Sequence, residues 1–423
     1  MLPLIWSENK EEEYTQDLFW NNLTGFEKKL GYLEEYLVNQ CFLKKLKNPY
    51  FIYTGNGRIK ELESMLIDKS SNLEIYFYLY EPSCFRIGEH NRNFYSEFKS
   101  DINLKDLIVD ELESIKIFVK NNNIEKFRVF TSDYKIQLIQ DNYPEIKLDC
   151  LDLFLREMGK CYKKFPKYFV KHDIKKKFWC GNWRYTIHRH IVTSYLSQLS
   201  GTYTWNLTCS WDELKNNDWF DLEKLQIERP YQYDQLKKGV DFLENNILVI
   251  DQKIDSLDVK EVNEVYIPGG HAPNWTPEFL KSYESNFCAV VNETRYAQPF
   301  GYFSEKTLTA IGNNMPFLLA APPYSLEYLK TFGFQTFDKW WDESYDDIVD
   351  PILRIQSAVR VIKKICDMSL NELEALLQDM DEVLTYNYNW FYNQDFISKA
   401  WNELEENLKT AIPQHLLLNQ LKI

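Results

Sequence analysis

Short β-rich runs alternating with helical periodicity constrain this chain more than any other feature. Tyr50–Thr54, Glu74–Tyr80, Lys126–Thr131 and Leu151–Leu155 are rich in β-branched, aromatic or leucine side chains and bounded by polar or glycine-containing turns, so each predicts a strand. Between them Ile108, Leu112, Ile115 and Val119 recur at helical spacing and predict one apolar helix face. A second series follows. Lys177–Cys180 reads as a strand, Gly181-Asn182 as a turn, and Tyr185–Leu199 as an amphipathic helix carrying Ile187, Ile191, Tyr195 and Leu199. Then come strand Phe287–Asn292, helix Glu305–Ile311, strand Pro316–Ala320, helix Ile352–Cys366 and a helical remainder, Asn371–Leu408. Strands alternating with helices predict parallel sheets covered by helices, here as two doubly wound α/β halves.

The length of 423 residues agrees with two or three domains at roughly 100–200 residues each. Aromatic residues at 16% and only 14 glycines exclude collagen-like, linker-like and disordered chains. The longest apolar runs, such as Met315–Pro322, fall well short of the ~20 residues a membrane span needs. Met1–Lys10 has no basic leader followed by an apolar core, so a cytoplasmic location is expected. Eight cysteines without a CxxC pair point away from zinc and from a disulfide scaffold.

A net charge of −14 argues against a general nucleic-acid binder. Against that background, Lys160–His190 holds ten Lys/Arg and one acid, Asp173. Lys163, Lys164, Lys167, Lys175 and Lys176 form the core of this patch, which is either a site for a polyanionic partner or a solvated linker face.

In open parallel sheets, ligands bind beyond the carboxyl ends of strands, next to the following helix. Two segments meet that description. Gly181-Asn182-Trp183-Arg184 lies between a strand and a helix, where free N–H groups and an arginine attract phosphate; Arg189 lies at the edge of that helix face. His188 falls in the middle of the apolar face and reads as a core histidine rather than a catalyst. In the second segment, Glu293 and Arg295 end a strand and Ser304 is a good N-cap, with Glu305, Lys306 and Thr307 in the first turn. A lysine at a helix N-terminus is unfavourable unless an anion shares the site, which makes Ser304–Thr307 the sharper signal.

Walker, GxGxxG, GxSxG and HExxH motifs are missing from the sequence. Asp379-Met380-Asp381 lies in a helical stretch, so no metal site is assigned. The acidic run Asp342–Asp347 precedes a helix, which acids cap; the alternative expectation is that it closes the site.

Phe303-Ser304-Glu305-Lys306-Thr307-Leu308 followed by Asn314-Met315-Pro316-Phe317-Leu318 resembles the donor-binding motif of GT-B glycosyltransferases, in the pattern of the fucosyltransferase and exostosin-like families. Gly333–Phe337, Trp341–Asp346 and Lys177–Arg189 look like runs common in viral and bacterial members, including phage-encoded enzymes. The resemblance covers roughly residues 175–390. Asn313-Asn314-Met315 stands where the family has a glycine before the proline, and no donor-base pocket is matched.

The resemblance implies two Rossmann-like domains facing a cleft: residues 1–165 for the acceptor, 175–370 for the nucleotide sugar, and 371–423 crossing back to brace the first. It implies a UDP- or GDP-sugar donor, with Glu305 on the ribose, Lys306 on the diphosphate, and Arg184 and Arg189 as further phosphate partners. An inverting enzyme also needs a general base, for which Glu81, Glu89, His90 and Asp133 follow strands of the first half; the strand end favours Glu81. The acceptor is either a glycan or small hydroxyl compound, or a hydroxylated base in DNA, towards which the basic segment points. A non-catalytic binding protein keeping a degenerate transferase cleft is the competing expectation.

Overall fold

A computed structural model describes residues 4–5, 49–53, 74–79, 85–87, 107–150 (without 122, 125, 132 and 133), 170–182, 187–199 (without 198), 202–205, 222–245, 283–293, 296 and 303–394. The protein is a mixed α/β structure built on parallel sheets. The first sheet contains β1 (Leu4–Ile5), β2 (Pro49–Tyr53), β3 (Glu74–Leu79), β6 (Lys126–Thr131) and β7 (Leu148–Cys150), side by side in that order and all parallel. An antiparallel pair, β4 (Phe85–Ile87) with β5 (Leu107–Val109), stands apart from it. Helix α1 (Asp110–Asn121) buries Leu112, Ile115, Phe118 and Val119, while Ile108 belongs to β5 rather than to the helix. The buried Tyr143 hydroxyl accepts from Val109 N at 2.8 Å and ties that corner together. The expected strand Leu151–Leu155 lies outside the described residues, directly after β7.

The second sheet contains β8 (Lys176–Asn182), β9 (Thr202–Trp205), β10 (Asn286–Asn292) and β11 (Phe317–Ala320). All its pairings are parallel, and the spatial order is β9-β8-β10-β11. Its central strand, Asn-Phe-Cys-Ala-Val-Val-Asn, is buried at every position, as a strand covered on both faces must be. Helix α2 (Ile187–Leu196) connects β8 to β9, and α5 (Glu305–Gly312) connects β10 to β11. The two crossovers run in opposite directions from the centre, so right-handed connections put α2 and α5 on opposite faces. Helix α7 (Pro351–Asp367) packs with α2, and α8 (Leu370–Asn393) packs with α5. Helix α3 (Leu222–Glu228) leads into α4 (Pro230–Asn245), which lies so close to α2 that a Cβ on Gly239 would sit 2.3 Å from Ser194 Cβ.

The two sheets differ in order. The described strands of the first follow the chain without reversal, whereas the second reverses between β8 and β10. Gly181-Asn182 corrects the expected turn, because both residues continue β8. A Cβ on Gly181 would lie 2.1 Å from the Trp179 indole, so glycine is needed here to let the ring of its same-face neighbour fold over the strand. Helix α2 is also shorter than Tyr185–Leu199, and α8 ends at Asn393.

The helix starts follow local chemistry. Asp350 caps α7 by accepting from Ile352 N and Leu353 N at 2.9 and 3.0 Å, with Pro351 as the first residue. Ser369 and Glu372 form a capping box on α8. Met380 faces the core of that helix while Asp379 and Asp381 face outward, as expected for a structural helix. No described helix is long and apolar enough to cross a membrane.

Candidate functional site

Where a parallel sheet reverses its strand order, the crossovers leave to opposite faces and a crevice opens between the strand ends. In this protein that point lies between Asn182, the end of β8, and Asn292, the end of β10. The N-terminal turns of α2 and α5 flank it.

Below the crevice the two strand ends are locked by amides. Asn292 Nδ2 donates to Asn182 Oδ1 at 2.9 Å, and Asn182 Nδ2 donates to Thr193 Oγ1 of α2 at 3.2 Å. Both amides also reach the Cys180 sulfur, whose burial pushes its pKa up to about 11, so it stays a thiol. Asn182 is therefore the floor of the crevice, taken up in this network, rather than part of a loop.

Glu293 follows β10 directly and is fully buried. Its Oε2 accepts from Ser304 N at 3.1 Å and from the Ser304 hydroxyl, and its Oε1 accepts from the Thr307 hydroxyl. Its carbonyl accepts from His188 Nε2 at 2.8 Å. Ser304 is the N-cap of α5, and its hydroxyl lies 3.4 Å from Lys306 N and 3.1 Å from Lys306 Nζ. The anion that sequence reasoning required beside Lys306 is thus present within the chain, one hydroxyl away. Glu305 opens α5, but its side chain lies outside the described residues.

His188 is a core residue with its pKa pushed down to about 3, first by burial and then by the charges of Arg189 and Lys306. A neutral imidazole donating to a carbonyl is a fixed strut rather than a proton shuttle. Arg189 is buried in the first turn of α2, and Lys306 lies in the first turn of α5. Tyr296 stacks on His188 with centroids 5.7 Å apart.

The structure brings together Asn182, Arg189, Glu293, Ser304, Lys306 and Thr307. Arg184, Arg295, Glu81, Glu89, His90, Asp133, Lys163, Lys164 and Lys167 lie outside the described residues. Lys175 is exposed and paired with Asp173 at 2.7 Å, and exposed Lys176 begins β8, so both lie at the amino end of that strand, with Asn182 at its other end. Among the described residues no group of three or more His, Cys, Asp or Glu side chains is placed to hold a metal ion.

Sequence reasoning missed Arg354. It is buried in α7, and its guanidinium donates to Ala321 O, Ile348 O, Val349 O and Tyr296 O. The available signal was a charged residue in line with Ala358, Val361 and Ile365 on the apolar stripe.

No family model matches the chain, and no curated protein matches it. Among solved structures, the chain is similar to the DNA-modifying enzyme beta-glucosyltransferase, determined in the presence and absence of its substrate uridine diphosphoglucose. The identity is 9%, covering 84% of this chain and 81% of that one, with a TM-score of 0.34. A likeness of this degree fixes neither fold nor activity.

Proposed function

We propose that this protein is a glycosyltransferase and that the first turn of α5 holds the diphosphate of its nucleotide-sugar donor. The observation that carries this reading is Lys306, whose ammonium is held 3.1 Å from the N-cap hydroxyl at the strand-order reversal, with Arg189 buried in the first turn of α2. A cation held by that hydroxyl is positioned before a ligand arrives. A nucleoside diphosphate gains negative charge as the glycosidic bond breaks, and a fixed ammonium beside a helix N-terminus stabilises that charge. The Ser304-Glu305-Lys306 resemblance to GT-B donor motifs supports the same assignment. In this reading Glu305 contacts the ribose, Arg184 assists at the phosphates, and residues 175–370 form the donor domain.

The acceptor domain is then residues 1–165, which supplies the general base from among Glu81, Glu89, His90 and Asp133. Residues of the two parts are in contact. Tyr134 stacks on Tyr328 of helix α6 (Ser325–Thr331) at 4.1 Å, and Lys135 pairs with Glu327 at 2.5 Å. The acceptor is a hydroxyl on a glycan or on a modified DNA base. Lys163, Lys164, Lys167, Lys175 and Lys176 are the residues through which DNA would be held.

One observation favours a second reading. Glu293 already satisfies Ser304 and Thr307, so the α5 N-terminus is stable without a ligand, as a non-catalytic relative would also require.

Thermal denaturation against UDP, GDP, ADP, CMP and TDP separates the readings. The proposal expects one nucleotide to raise the midpoint, and the matching sugar nucleotide to be consumed in the presence of an acceptor. Binding without turnover on glycan or DNA acceptors would favour the second reading, and no shift with any nucleotide would overturn the donor site.

A further inference from the structure

Arg354 lies in the second turn of α7, 2% exposed, with no role in the crevice itself. Burying a guanidinium costs several kcal/mol unless every N–H finds a partner. Here the partners are backbone carbonyls from three separate segments. Nη2 reaches Tyr296 O, in the stretch between β10 and α5, at 2.5 Å. Nε reaches Ala321 O, just past β11, at 3.0 Å, and Nη1 reaches Ile348 O and Val349 O, before α7, at 2.6 and 3.0 Å. The guanidinium also covers the Tyr296 ring at 4.5 Å, and the Tyr296 hydroxyl donates to Pro351 O at 2.9 Å. Tyr296 is therefore clamped on its backbone, its face and its hydroxyl.

The clamp continues into the crevice. Tyr296 stacks on His188, His188 donates to the Glu293 carbonyl, and the Glu293 carboxylate sets Ser304 and Thr307. Ser304 in turn holds Lys306. Each step is a contact, and the last, from Ser304 to Lys306, lies within the start of α5 itself.

We infer that Arg354 is a positioning residue for Lys306: it fixes Tyr296 and, through His188, Glu293, and so holds the α5 N-terminus in its anion-binding arrangement. This rests on the donor-site reading for its ligand, but not for its geometry. A lysine at this position keeps the charge and loses the fork that reaches three segments at once.

The test uses the full chain carrying Arg354→Lys, with Tyr296→Phe as the milder variant should the first fail to fold. In the ligand-free protein, hydrogen exchange of peptides spanning 303–307 should accelerate, while peptides from α8 keep their protection. The affinity for the nucleoside diphosphate selected by thermal shift should fall about tenfold in Arg354→Lys and about threefold in Tyr296→Phe. In a Lys306→Ala background neither substitution should weaken binding further, since a residue acting through Lys306 has nothing left to position. Unchanged exchange at 303–307, or losses that add to that of Lys306→Ala, would overturn the inference. Accelerated exchange in a protein that binds no nucleoside diphosphate would instead locate the failure in the donor reading.

Discussion

Helices α5 and α6 begin at the same edge of the second sheet, and each start is closed by a buried carboxylate from elsewhere in the chain. At α6 the N-cap residue, Tyr324, has a left-handed backbone (φ 65) and offers no side-chain cap. Asp346 substitutes for it, accepting from Leu326 N at 2.8 Å and Glu327 N at 3.4 Å. Burial pushes the Asp346 carboxyl up to about 7, although those two N–H groups and the charge of Arg354 pull the other way. At α5, Ser304 caps its own helix, and Glu293 is met by two hydroxyls and a backbone N–H, with Lys306 on the far side of Ser304. A helix N-terminus with a buried acid is thus structural in both cases. At α6 the nearby cation, Lys135, comes from the first half of the chain and pairs with Glu327, whereas α5 carries its cation in its own first turn, beside the strand-order reversal.

Removing the two acids should give the largest effects. Glu293→Ala strips the acceptor from three buried donors and should cost about 3–5 kcal/mol in urea denaturation, as breaking a buried charged network does. Asp346→Ala orphans two backbone N–H groups and should cost less, about 1–3 kcal/mol. Equal losses would break the comparison.

The next effect concerns pH. Asp346, raised from an unfolded value near 3.9, gives stability that is lost as pH rises from about 4 to about 7. His188, lowered from about 6.5 to about 3, gives stability that is lost as pH falls through that range. Between about pH 4 and 6.5 the two slopes oppose each other, each on the order of 1.4 kcal/mol per pH unit. Relative to the parent, Asp346→Asn should gain stability steadily from pH 4 to 7, and His188→Gln should gain it on acidification below pH 6.5. Midpoints measured from pH 4.5 to 7.5 test this, and parallel profiles for parent and variants would contradict it.

Sequence periodicity located most described elements of the second half because their signals are local. The Ser304 cap, the Asp350-Pro351 start and the Ser369–Glu372 box each act within a few residues. The Gly181 turn was misread because glycine usually marks a turn, and here the reason for it is a tryptophan ring two residues back. Lys306 was legible as a cation in an unfavourable place and Glu293 as a residue of the same crevice, but their link through Ser304 was not. Glu293 is 11 residues away, and only the fold brings it under Ser304. Asp346 and Arg354 are less legible still, since their partners lie up to 20 and 58 residues off. Sequence also suggested two doubly wound halves alike, whereas only the second sheet reverses its order among the described strands.

The smallest stability effect belongs to the residue on which the function rests. Lys306→Ala removes a partly exposed side chain, and should change stability by less than about 1 kcal/mol. The decisive measurement is calorimetric titration of the preferred nucleoside diphosphate, and of its parent nucleoside, into the parent protein and Lys306→Ala. The account predicts at least a tenfold loss for the diphosphate, about 1.4 kcal/mol, with nucleoside affinity unchanged. Equal diphosphate affinity in both proteins would mean that the α5 N-terminus holds no phosphate.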